Sequence, residues 1–504
     1  MKNGARRIII HALTALFCLS GCINETYDVL KKEEIAFGYK DVQANGFYPS
    51  TLCPAKGKIT ALVIPVWYED SDFYIAPSHK ESVREDIRKA FFGSDEETGW
   101  KSVTSYYAEA SYGALEITGV VADWYEIGKK TTDVASTQEM YELAENVGEA
   151  YISSHPEEDY SKYDIDSNGA FDAYCIVNAG PLDYEKLIFW GYVDWERKDP
   201  EVNDRLDIAS KMIVSHGFMY NEDNYSEKTG VHREAYYGHK GGNIDAHAFI
   251  HEFGHLLGAD DYYDYNTKNP NYYSGGFSMQ DLNCGTHDPY SDMCYGWVKP
   301  YIPTESCTIK LNSYAKTGDF VILKDEWNKY KSPFDEYLIL EYYTPDGLNQ
   351  RDAESRYRGI NMNKSGLRIW HVDGRLITYT TEEIEPDMYM CHYSNELVAS
   401  PNNEGSYSQI ALRMQNVREI DIHFKGFEQF RELQWVRNDS EATSFYEAMV
   451  GADDLFFDGD VFDIKKFGKQ FPNNGMFDSG ESFSWTVEVK SQTKDDVVLE
   501  LTKA

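Results

Sequence analysis

Apolar positions follow two different rhythms along the chain, and the change falls near residue 300. Ile59 to Trp67 is an almost unbroken apolar run, as in a strand buried on both faces of a parallel or mixed sheet. Residues 80–92 (KESVREDIRKAFF) space their apolar side chains for an amphipathic helix that stops at Gly93. A second helix is predicted over 102–113, a strand over Leu115–Val121, a third helix over 136–154 and a strand over Tyr174–Val177. Residues 183–240 are polar and aromatic, without a period until Ile208–Val214, and predict a long connection. Beyond residue 301 the period becomes two. Segments 307–311 and 336–342 alternate between Gly, Asn and Asp turns, and 482–489 with 497–501 reads as a closing hairpin. Mixed helices and strands followed by strands alone predict an α+β fold. Its first domain spans 58–300, and a β-rich C-terminal region spans 301–504.

The helical period is strongest over 243–264, NIDAHAFIHEFGHLLGADDYYD. Ala246, Phe249, Ile250, Phe253, Leu256 and Leu257 form one buried face, with Asn243 as the expected N-cap and Asp245 in the first turn. His251 and His255 then lie one turn apart on one face, where two imidazoles can bind a single Zn²⁺. Glu252 stands beside them as the base for a water polarised by that metal. Gly258, three residues after the second His, is placed to end the helix in a left-handed turn and carry Asp261 back as the third zinc ligand. His247, another turn upstream, is expected to stay outside the ligand set, as a supporting or solvent-facing residue.

The run HEFGH-LLG-ADD resembles the HExxHxxGxxD of the immune inhibitor A family of bacterial metallopeptidases, which are metzincins. Further matches are the stretch around Ser102–Gly113, Asn178-Ala179-Gly180, Ser291–Trp297 and Gly366–Asp373. The resemblance runs with gaps from about residue 58 to the C-terminus. It implies a metzincin-like zinc protease domain built on a mixed sheet and an active-site helix. It also implies a methionine turn under the metal, which Gly275–Met279 resembles, with Met279 as its methionine. Some metzincins add a transition-state tyrosine near this turn; Tyr290 and Tyr295 both qualify. Two positions depart from the pattern. Asp260 replaces the usual Pro, so Asp260 and Asp264 compete with Asp261 as ligand, and Gln280-Asp281 stands where small residues are commoner.

Asp164, Asp166, Asn168 and Asp172 occupy positions 1, 3, 5 and 9 of an EF-hand-type loop with Gly169 at position 6, which predicts a Ca²⁺ site. Position 12 is Cys175, so the loop lacks its bidentate closing ligand. A similar acidic loop in the family supports calcium. His371 and Asp373 resemble a catalytic pair but are expected to serve packing.

Charge and targeting signals change the picture further. The 504 residues carry a net charge of −36, which argues against nucleic acid and anionic membrane surfaces as partners. Lys2, Arg6 and Arg7 followed by an apolar run to Leu19 form an export signal over 1–21, and Leu19–Cys22 resembles a bacterial lipobox that leaves Cys22 lipidated. This places the mature chain, expected to act as a monomer, at the bacterial outer membrane or cell surface, touching the membrane through its anchor alone. Residues 22–57 read as a tether or short pro-segment, in which Cys53 offers a thiolate that could cap the zinc or a structural thiol. Of the remaining cysteines, Cys284 and Cys294 are the closest pair for a disulfide. The expected function is hydrolysis of protein or peptide substrates. A binding lipoprotein with a vestigial zinc site, or a zinc hydrolase of non-peptide substrates, are the alternatives.

Overall fold

The computed structural model describes residues 27–42, 52–182, 187–195, 205–221, 224–232, 244–265, 271–355, 361–385, 388–393, 397, 416, 424–425, 431–443, 449–471, 473 and 475–504. The signal, Cys22 and Asn243 lie outside them.

A mixed sheet forms the first layer. It contains β1 (Gly57–Trp67), β2 (Leu115–Val121), β3 (Ala173–Asn178), β4 (Tyr192–Trp195) and β5 (Ser210–Ser215) in the order β2-β1-β3-β5-β4. The first four in that order run parallel, with Gly57 opposite Leu115, Ala61 opposite Ala173 and Cys175 opposite Met212. Only β4 is antiparallel, pairing Tyr192 with Ile213 at one edge. Both faces are covered, which explains the unbroken apolar run of β1. Ile59, Ala61 and Val63 enter one core, and Leu62, Ile64 and Val66 enter the other. Helix α1 (Lys80–Phe92) matches its predicted span, and α2 is Val103–Ala110. The prediction for α2 overran because Tyr112 and Gly113 turn into positive φ. Helix α3 (Thr137–Ser154) covers the second face.

Helix α4 (His247–Leu256) carries the HEFGH run, and α5 (Met279–Leu282) and α6 (Pro289–Tyr295) follow it. Helix α4 starts later than expected because Asp245 acts ahead of it, accepting the His247 N–H at 2.9 Å. The predicted connection 183–240 contains β4 and β5.

After residue 300 come β6 (Cys307–Asn312), β7 (Phe320–Leu323), β8 (Glu336–Tyr343), helix α7 (Gln350–Ser355), β9 (Gly366–Asp373) and β10 (Leu433–Val436). Strands β11 (Val461–Asp463), β12 (Trp485–Gln492) and β13 (Asp496–Lys503) close the chain. A three-stranded sheet joins Ile377–Glu385, Met388–Tyr393 and Phe424–Lys425. The other strands form two antiparallel sheets, β10-β9-β8-β7 and β11-β12-β13-β6. The core does not divide at residue 300. Tyr337, Ile339, Trp370 and Val372 share a cluster with Phe249, Ile250 and Phe253 of α4, whereas Leu338, Leu340, Leu367 and Ile369 face the last sheet. Each such buried side chain contributes about 1.5–3 kcal/mol, so the β-rich region and α4 draw on one continuous core.

The segment read as a tether is docked. Lys32 bridges to Tyr301 and pairs with Asp319 at 2.7 Å, and Cys53 N–H donates to Leu256 O at 2.9 Å. Trp297 Nε1 donates to Ala55 O at 2.6 Å. Cys53 is buried, and its thiol joins no histidine. Cys284 and Cys294 are buried and form no disulfide with each other, contrary to expectation; both lie within the protein core rather than in a loop needing a staple. Among the described residues no helix is long and apolar enough to cross a membrane.

Candidate metal centre

Helix α4 brings His251 and His255 together as its period requires, with their Nε2 atoms 3.1 Å apart. Asp261 Oδ1 lies 3.0 Å from His251 Nε2 and 3.2 Å from His255 Nε2. Four-coordinate zinc with bonds of about 2.0–2.1 Å separates its ligand atoms by roughly 3.3–3.4 Å, so the three atoms form one nearly fitting face of that tetrahedron. The other ring nitrogens support this reading. His251 Nδ1 faces the Met279 carbonyl and His255 Nδ1 the Ala259 carbonyl, both at 2.7 Å. A carbonyl only accepts, so each Nδ1 carries hydrogen, which leaves each Nε2 as the ring atom that could bind a metal once it is unprotonated.

The turn between helix and Asp261 depends on Gly258, at φ +108. A Cβ there would also meet Leu52 Cδ1 and Tyr39 Cβ at 2.8 Å. Gly258 N–H donates to His255 O at 2.9 Å, closing the helix. The competing acid Asp264 accepts from Asn271 N at 3.0 Å and does not join the triangle. Asp260 does not join it either.

Gly254 has a local reason of its own. A Cβ there would collide with Gln280 Oε1, and Gln280 Nε2 donates to His251 O at 3.2 Å. The larger residue after Met279 is therefore accommodated by the glycine inside HEFGH. Asp281 accepts from Ser274 Oγ and Gly276 N, holding the turn before α5; burial raises its carboxyl to about 6.

Glu252 is buried, and its Oε2 has no hydrogen-bond partner among the described residues. Burial raises its pKa against the pull of His251 and His255. Gly191, just before β4, lies over it, since a Cβ there would sit 2.6 Å from Glu252 Oε1. Trp195 of β4 donates Nε1–H to His255 O at 3.1 Å, fixing this edge strand beside the centre. Burial opposes protonation of His255, yet Asp261 overrides it and raises the imidazole to about 9. Burial likewise opposes ionisation of Asp261, but the two imidazoles hold its carboxyl far below the usual range.

Neither expected tyrosine faces the centre. Tyr290 donates to Glu432 Oε1 at 2.8 Å and Tyr295 to Gly254 O at 3.0 Å, both inside the core. Sequence reasoning missed Tyr263 and Tyr265, although their alternation just after Asp261 was a usable signal. Tyr265 donates to Asp261 Oδ2 at 2.6 Å, and the Tyr263 ring lies 6.2 Å from His251. His247 is neither ligand nor solvent-facing. It is buried between Asp245 Oδ1 (2.7 Å) and Asp352 Oδ1 (3.3 Å), and it stacks on Trp100 at 4.1 Å. Burial opposes its charge, but the two aspartates raise it to about 9.

Two other clusters have donor sets suited to a cation. Carboxylate oxygens of Asp164, Asp166 and Asp172 lie within 4.8 Å of one another. Burial first, then the neighbouring acids, raise Asp172 to about 7 against the Ile165 N–H it accepts. Asn168 Oδ1 accepts the Ala170 N–H at 2.8 Å beside them. Glu336, His371 and Asp478 also converge, with His371 Nε2 2.8 Å from Glu336 Oε1. Here the support of a metal site is lacking. Glu336 already accepts the N–H groups of Asp478 and Ser479, and His371 Nδ1 has no partner behind it. Asp373 is bound to Arg375 and Tyr393. His371 thus packs Phe471 and Phe477 against β9, while Asp373 holds Arg375 and Tyr393.

No protein-family model matches the chain, and no curated protein matches it.

Proposed function

We propose that this chain is a zinc metalloendopeptidase of metzincin type, held at the bacterial cell envelope by lipid on Cys22 and acting on extracellular proteins or peptides. The observation that carries the reading is the triangle of His251, His255 and Asp261, with both Nδ1 atoms fixed on carbonyls and Glu252 beside it. The resemblance of HEFGH-LLG-ADD to the immune inhibitor A family supports the same conclusion. Zinc at this triangle supplies a Lewis acid that lowers the pKa of water from about 15.7 toward roughly 7 and polarises a carbonyl.

The remaining work falls to side chains. Glu252 takes the proton of the attacking water and returns it to the leaving amine. Its raised pKa favours the first of these steps, uptake of the proton. Asp261 contributes a negative charge where many sites have a third imidazole, which moderates the acidification of water. Strand β4 favours a peptide substrate over other hydrolase substrates. Among the described residues it is the last strand of the sheet, pairing with β5, and it runs on from Gly191 over Glu252, where an extended chain would lie beside the proposed base. Calcium at Asp164, Asp166 and Asp172 would brace the loop before β3.

Casein-type proteolysis by residues 22–504 tests this reading. Loss of cleavage with a zinc chelator and recovery on adding zinc is the expected result. Chelator-resistant cleavage would remove zinc from the reaction. Zinc binding without cleavage of any protein substrate would favour a non-peptide hydrolase, and absence of zinc a binding lipoprotein.

A further inference from the structure

We infer that Tyr265 is a positioning residue that keeps Asp261 a one-oxygen ligand and so preserves the open coordination position. The inference rests on the zinc reading above and adds a role for a residue outside the HEFGH run. Asp261 presents its two oxygens to different partners. Oδ1 faces His251 and His255 at 3.0 and 3.2 Å, and Oδ2 accepts the Tyr265 hydroxyl at 2.6 Å. A bond of that length to an ionised carboxylate is of the strong, charge-assisted kind. A catalytic zinc with three protein ligands needs its fourth position for water or substrate. If Oδ2 turned inward as well, the carboxylate would chelate the metal and fill that position. The phenol holds Oδ2 outward.

Burial does not explain Tyr265. The residue is 40 % exposed, and its ring leans on Tyr263 with centroids 5.3 Å apart. Tyr263 sits deeper, against His251. The outer tyrosine is thus braced by the inner one, at the rim where a substrate enters. A side chain there can fix the carboxylate without being part of the core.

Tyr265→Phe removes the hydroxyl and leaves the ring. The experiment measures the zinc- and Co²⁺-loaded variant beside wild type. The expected result is weaker visible absorption per Co²⁺, as coordination number rises. It also includes a fall in kcat of about 10–100-fold, the usual cost of losing such a supporting partner, with KM within about twofold. A merely structural role would lower thermal stability and leave the Co²⁺ spectrum alone. An unchanged spectrum overturns the inference, whatever happens to kcat. A wild type that binds neither zinc nor Co²⁺ overturns the zinc reading itself, and this inference with it.

Discussion

Replacing Gly258 by Ala separates two costs that the structure superimposes at the end of α4. The first is conformational: at φ +108 a side chain is strained, by about 1–2 kcal/mol for left-handed backbone. The second is steric. The new Cβ would lie 2.8 Å from both Leu52 Cδ1 and Tyr39 Cβ, and such overpacking costs about 1–3 kcal/mol. Gly113 is the control, at φ +80 with nothing within 4 Å of its ideal Cβ. Gly113→Ala pays the first cost alone. Urea denaturation of both variants should therefore place Gly258→Ala about 1–3 kcal/mol below Gly113→Ala. Leu52→Ala removes one of the two collisions, so in the double variant with Gly258→Ala the losses should fall short of additive, with a coupling of about 0.5–3 kcal/mol. Equal destabilisation of the two glycine variants, together with strict additivity at Leu52, would refute the argument that the N-terminal segment presses on this turn.

Other outcomes follow from the same geometry. Zinc must displace the proton that Asp261 holds on His255, so apparent zinc affinity should gain about tenfold per pH unit up to about pH 9, as measured by chelator competition. In the metal-free protein the sign is opposite for stability: the raised His255 pKa stabilises the fold fully below its unfolded value near 6.5, and this is lost as pH rises through about 9. The raised Asp172 pKa means that, without cations, stability falls as pH climbs from the ordinary 3.8 through about 7. Calcium should reverse that loss and raise Tm, and Asp172→Asn should abolish the calcium effect; an identical Tm shift in the variant would place calcium elsewhere. Deleting residues 23–56 should lower stability and zinc retention, because it strips the contacts to Leu256, Gly258 and Trp297. Higher activity after that deletion would instead identify an inhibitory pro-segment.

Much of the candidate metal centre was legible because its signals are local. The 3.6-residue period sets His251 above His255, and Gly258 marks the turn that returns Asp261. Helix α1 was legible to the residue, since an amphipathic run met Gly93. Strand β4 was not: four residues of mixed polarity gain their identity from pairing with β5, which no short window reveals. Tyr290 and Tyr295 lay near Met279 in sequence, but helix α6 turns both into the core. Tyr265 acts through one hydroxyl at an exposed rim, where apolar patterning carries no information. The N-terminal segment lacks a period because separate contacts at Lys32, Tyr39, Leu52 and Cys53 hold it, rather than a helix or sheet. Asp352, which completes the pairing of His247, lies 105 residues away, beyond any motif.

The most direct measurement is zinc content and protein cleavage for residues 22–504, wild type beside Glu252→Ala. Glu252 makes no contact that holds the triangle together, so both proteins should carry one zinc and only the wild type should cleave. Cleavage by Glu252→Ala would contradict its role as the base, and a wild type without zinc would contradict the metal centre itself.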